Sequence, residues 1–196
     1  MLLLCFFPVV LTTLFALLIF YLSRFSQKSH LKVIERNSEF AETYGMKYVP
    51  ERQCPRELLQ GFNLMKWGFS KWVTDQFLFP LGDTKVIIGD FHNVYIGDDH
   101  GRTVTFFLVE DPRFDFSHHH FIDHRRFGAS WFQKRPPWVS QLKQGTLQLL
   151  RTNRWEVETN GNRLLIYRIN STIASPEIKN RIDEIQVIVE DFRQLS

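Results

Sequence analysis

The chain carries 196 residues and a formal net charge of +3. That length gives one domain with a real core beside any terminal segment. The charge is too small for a dedicated nucleic-acid binder, in which a strongly basic domain is expected. No low-complexity tract, internal repeat or long Gly/Ser linker interrupts it.

The first element is apolar. From Leu2 to Leu22 there is no charged side chain, and the first charge is Arg24. Those residues span roughly 31 Å if helical, about the thickness of a hydrocarbon core. Pro8 near one end is tolerated in such a helix. A cleaved signal peptide needs a basic start, a shorter apolar run and a small-x-small site, none of which is present. The run therefore predicts an uncleaved transmembrane anchor over residues 1–23. Arg24, Lys28, Lys32 and Arg36 follow it, so the positive-inside rule places residues 24–196 in the cytoplasm, beneath a bacterial inner membrane. Lys28, Lys32 and Arg36 stand at i, i+4 and i+8, one basic stripe suited to anionic lipid headgroups. Apart from Cys5 in the apolar run, the lone cysteine is Cys54, which forms no intramolecular disulfide.

Residues 24–45 read as a juxtamembrane helix closed by Gly45, and 46–196 as one soluble domain. Met46–Val49 predicts a short strand and Pro55–Gln60 a short helix ended by Gly61. The aromatic-rich stretch Phe62–Leu81 carries no clear period. Lys85–Asp90 reads as a strand. His92–Ile96 and Thr103–Val109 read as a hairpin across Gly97–Gly101. Residues 111–138 read as irregular. Val139–Leu150 predicts a helix, weakened by Gly145. Trp155–Thr159 and Arg163–Arg168 form the clearest hairpin, turning at Asn160-Gly161-Asn162. There Trp155, Val157 and Thr159 alternate with Glu156 and Glu158, a pattern with one face buried. Ser175 caps a last helix with Pro176 at its first position. Its core face is Ile178, Ile182, Ile185, Val189 and Phe192. The expected fold is α+β: one N-terminal transmembrane helix, then a cytoplasmic domain with a mostly antiparallel sheet and a C-terminal helix.

Three stretches carry a resemblance. They are Phe40-Ala41-Glu42-Thr43-Tyr44-Gly45-Met46-Lys47-Tyr48, Asn93-Val94-Tyr95-Ile96-Gly97 and the hairpin from Trp155 to Arg168, followed by Pro176-Glu177. In that order they resemble a group of bacterial single-pass membrane proteins of unknown function. The hairpin pattern Trp-x-Val-Glu-x-x-Gly-x-x-Leu-Leu-x-Tyr-Arg is the most specific part. The resemblance covers most of residues 36–194 and implies the architecture and a membrane setting. Its motif residues are turn glycines and core aromatics rather than catalytic groups.

Two clusters invite chemistry. His118, His119, His120 and His124 lie near Asp115 and Asp123, and imidazole with carboxylate is a competent zinc set. His118, His120 and His124 are the candidate metal ligands, against the reading of a polar loop with incidental histidines. Arg125, Arg126, Trp131, Lys134, Arg135 and Trp138 interleave cations with aromatics, as at a lipid or partner surface. The competing reading places the aromatics in the core. No phosphate-binding glycine loop, dinucleotide fingerprint or nucleophile elbow occurs. The reading is a membrane-anchored module that binds protein or a membrane surface, with no cofactor, no nucleic-acid partner and no assigned catalytic residue. The alternative is a tethered metal-dependent hydrolase using the His118–His124 cluster.

Overall fold

The computed structural model describes residues 2–66, 68, 70–94, 101–121, 136–172 and 175–195. Side chains at 2–13, 22, 25, 26 and 175–177 lie outside that description. The turn expected over 97–100, the strand end at Tyr95 and Ile96, and residues 122–135 lie outside the described residues. Contacts divide the chain into two compact units, Met1–Phe40 and Ala41–Ser196.

The first unit is the body of one helix, α1, Leu2–Thr43. Among the described residues no helix is long and apolar enough to cross a membrane. This corrects the expected transmembrane, single-pass element. The described apolar side chains form an eight-position run, Leu14–Tyr21, before the polar Ser23 and Arg24.

The second unit is α+β, as expected. Among the described residues seven antiparallel strands form one sheet in the order β1-β2-β3-β4-β7-β6-β5. They are β1 Lys47–Val49, β2 Ser70–Leu81, β3 Thr84–Val94, β4 Arg102–Glu110, β5 Phe116–Phe121, β6 Glu156–Gly161 and β7 Arg163–Ile169. The helices are α2 Arg56–Leu59, α3 Gln144–Thr152 and α4 Ser175–Arg193.

The hairpin β6–β7 forms where Asn-Gly demands it. Asn160 pairs with Arg163, and Gly161 takes a positive φ of 59°, a conformation open to glycine at no steric cost. The α4 stripe is also as expected: Ile178, Ile185, Val189 and Phe192 are almost wholly buried. Trp138 packs tilted against Phe192 at 4.9 Å between ring centres, and Phe116 meets Phe192 edge-on. Trp155 from the sheet packs edge-on against Phe107 and donates to Glu184 of α4.

Three expectations are corrected. The two strands expected over 85–96 are one strand, β3, buried on both faces from Val86 to Phe91 and paired without a break with β4 from Lys85 to Asn93. The segment 111–138 is not wholly irregular, since β5 pairs with β6, about forty residues later. The helix expected over Val139–Leu150 is a 3₁₀ turn, Pro137–Ser140, followed by α3. Asp191 of α4 accepts the Lys143 N–H at 2.8 Å and so fixes the start of α3, a cap too distant in sequence to be read locally.

One carboxylate ties the end of α4 to the sheet. Asp111, fully buried, accepts from Thr84 Oγ1 at 2.6 Å, Arg193 Nε at 2.9 Å and Arg113 Nη2 at 2.7 Å. The Arg113 guanidinium holds its acid well below the usual carboxylate range, helped by Thr84 and Arg193 and opposed by burial.

Gly89 lies opposite Phe106 across the β3–β4 ladder. A Cβ there would stand 2.9 Å from the buried Phe106 ring. Gly89→Ala is therefore expected to destabilise the domain by about 1–3 kcal/mol through overpacking, read as a lower urea midpoint. Asp111 also sets an acid limit. Its folded pKa is depressed, so its contribution is present above the unfolded value of about 3.9 and lost as pH falls below it. Asp111→Asn should be less stable than wild type at neutral pH, with a flatter acid limb in stability measured against pH.

Candidate functional site

His118, His119 and His120 sit on edge strand β5, and the structure supplies partners that sequence reasoning passed over. Glu156 and Glu158 of β6 lie opposite Tyr167 and Leu165 of β7. They share a sheet face with the core cluster of Leu59, Phe62, Leu64, Phe106, Leu108 and Tyr167. The alternation predicted these glutamates to face solvent. Glu158 is instead fully buried and Glu156 nearly so, because the strap 55–66, comprising α2 and a 3₁₀ turn at Asn63–Lys66, lies over that face.

Glu158 holds the strap. Its carboxylate accepts the backbone N–H of Asn63 at 2.6 Å and of Leu64 at 3.2 Å, the orphan donors at the start of a helical turn. Tyr167 donates its hydroxyl proton to Glu158 Oε1 at 3.1 Å. The phenol oxygen then accepts from His120 Nε2 at 2.8 Å. His120 also stands 3.4 Å from Glu156 Oε2, and His118 Nε2 3.7 Å from Glu158 Oε2. Burial pushes the Tyr167 phenol far above its ordinary range, and the charges of Glu156 and Glu158 push the same way. Tyr167 therefore stays protonated and keeps its proton for Glu158.

A second clamp holds the same strap. Arg163 donates to Gln60 O at 2.7 Å and to Leu58 O at 3.4 Å. Its guanidinium lies 5.0 Å from the centre of the Phe62 ring, and Asn160 donates to Gly61 O.

Of the expected metal ligands, His118 and His120 converge on this network and His124 lies outside the described residues. Among the described residues no group of three or more His, Cys, Asp or Glu is arranged to hold a metal ion. The imidazoles face carboxylates already engaged with Tyr167 and the strap. The carboxylates therefore work as internal hydrogen-bond partners, and His118 keeps 41% of its side chain exposed.

Of the basic-aromatic set, Arg125, Arg126, Trp131, Lys134 and Arg135 lie outside the described residues. Trp138 is corrected: it is 5% exposed, packed between Phe121 and Phe192, and belongs to the core. Arg24, Lys28, Lys32 and Arg36 are all exposed on α1. The described apolar residues N-terminal to them are exposed too: Leu14, Phe15, Leu17, Leu18, Ile19, Phe20 and Tyr21 stand between 52% and 68% accessible. Arg24 lies 5.0 Å from the centre of the Phe20 ring, one helical turn back.

No family model, curated protein or solved structure matches the chain.

Glu158→Ala would leave the Asn63 and Leu64 N–H groups and the Tyr167 hydroxyl without their acceptor. Hydrogen bonds to a charged group contribute about 1.5–3 kcal/mol each, so a loss of about 3 kcal/mol or more is expected. Amide exchange at Asn63 and Leu64 should rise before that of the central strands. Glu158→Gln, which keeps one acceptor oxygen, should lie between.

Proposed function

We propose that the chain is a binding module for anionic lipid surfaces, engaged through α1. One observation supports the reading: an exposed apolar run, Leu14–Tyr21, leads directly into the exposed cations Arg24, Lys28, Lys32 and Arg36. Large contiguous apolar surface on a protein marks an interaction site. Apolar residues joined to a basic stripe are the chemistry of a helix bound at a headgroup boundary. Between Ser23 and Ile34 the helix carries Arg24, Lys28 and Lys32 and no carboxylate, so cations are concentrated next to the apolar run. Each adds about 1 kcal/mol at an anionic surface. The acid and base groups of the β5–β6–β7 cluster are engaged internally, which leaves α1 as the better-supplied surface for a partner.

Flotation of the full chain with phosphatidylcholine vesicles, with and without phosphatidylserine, tests this. Binding is expected to be strongest with phosphatidylserine and to fall with salt. Lys28→Glu/Lys32→Glu/Arg36→Glu should lower the anionic-vesicle affinity by about 100-fold or more, and Leu17→Asp/Phe20→Asp should abolish binding to both. A chain that floats with neither vesicle would refute the reading and point to a protein partner instead.

A further inference from the structure

We propose that Thr74, His92 and Thr103 form a nucleophilic site that takes an acyl group from an activated ester onto Thr74. The three residues come together on the opposite sheet face from the Glu158 cluster. His92 on β3 lies opposite Trp72 of β2 and Thr103 of β4, and Thr74 shares the face of Trp72 two positions on. His92 Nε2 stands 2.9 Å from Thr74 Oγ1, and His92 Nδ1 stands 3.2 Å from Thr103 Oγ1. This is the arrangement a nucleophile needs: a hydroxyl within hydrogen-bond reach of a base, and the base oriented by a third group. With Nδ1–H donating to Thr103, Nε2 keeps its lone pair for the Thr74 proton.

The imidazole is held from its face as well. Trp72 stacks on it at 5.4 Å and 13°, and Arg52 covers the indole at 4.0 Å. Thr74, His92 and Thr103 are each partly exposed, so the three lie at the surface of the sheet. Asp75, directly after Thr74, has a φ of +52° at a register break between Thr74 and Phe77. Bulges of this kind re-aim side chains, and strained residues of this kind gather at functional sites. Burial lowers the His92 pKa from its ordinary value, with Asp75 opposing and Arg52 adding to the shift. On its own strand Asp90 is engaged by Thr105 at 3.0 Å. His92 is thus uncharged at neutral pH, the state a general base requires.

In the step, Thr74 Oγ attacks the acyl carbon while its proton passes to His92 Nε2. The ester bond to Thr74 forms and the bond to the leaving oxygen breaks. That oxygen takes the proton back from the imidazolium, and water later hydrolyses the acyl-threonine.

The probe is 4-nitrophenyl acetate with the full chain. Expected are a burst of one 4-nitrophenol per chain and an acetyl group on the peptide containing Thr74. Thr74→Val should abolish both, Thr74→Ser should retain them, and His92→Gln should slow acetylation about 100-fold. Thr103→Val should slow it less. The wild-type rate should rise with pH through an inflection below about 6.5, the ordinary imidazole value. Melting curves for Thr74→Val and Thr74→Ser, expected to coincide, separate loss of chemistry from loss of fold. Acetyl found only on lysines or on histidine, or equal rates in wild type, Thr74→Val and His92→Gln, would overturn the proposal.

Discussion

The buried Glu158 carboxylate is the constraint on which the rest of the second unit depends. A seven-stranded antiparallel sheet has two faces, and α4 covers only one. The other is closed by the strap 55–66, whose Leu59, Phe62 and Leu64 are almost wholly buried. A strap with one short helix and one 3₁₀ turn has little hydrogen bonding of its own. Glu158 supplies acceptors for the N–H groups of Asn63 and Leu64, and Arg163 donates to the carbonyls at the end of α2. Both come from one hairpin, so the strap is held where the sheet is most regular.

Burying a charge costs several kcal/mol unless it is fully partnered. Glu158 meets that condition with two backbone N–H groups and a phenol, beside His118 and His120. Asp111 meets it just after β4 with two guanidiniums and a hydroxyl. The fold thus uses carboxylates as ties between distant segments: Asp111 joins β3, β4 and α4, Asp191 joins α4 to α3, and Glu158 joins β6 to the strap.

Local signals were legible. The Asn160-Gly161 turn, the strands around it and the stripe along α4 follow from residue type and period, and the structure has them. Interactions across long separations were not. The period of Glu156 and Glu158 marks their common face correctly but not what covers it, since the strap stands about one hundred residues earlier. His118 and His120 stand out as a cluster in the sequence, yet their partners Glu156, Glu158 and Tyr167 lie on other strands and so give no local signal. Trp138 was grouped with neighbouring cations although its ring fills the gap between Phe121 and Phe192. The apolar length of residues 2–22 predicts a membrane span, whereas among the described residues no helix is long and apolar enough to cross a membrane. Thr74, His92 and Thr103 carried no motif, because their meeting depends on strand register alone.

The strand order has a consequence for how the chain reaches its fold. β4 ends at Glu110 and β5 begins at Phe116, yet β7 and β6 lie between them in the sheet. The short connection passes the end of the later hairpin, where the Asp111 N–H donates to Asn162 O. A gap two strands wide therefore persists until residues 156–169 have been made. During synthesis the first four strands can zip together in order, but β5 has no neighbour until the hairpin arrives. Closure of the sheet is a late, non-local event, the kind of step that slows folding because loop entropy is lost before the contacts are gained.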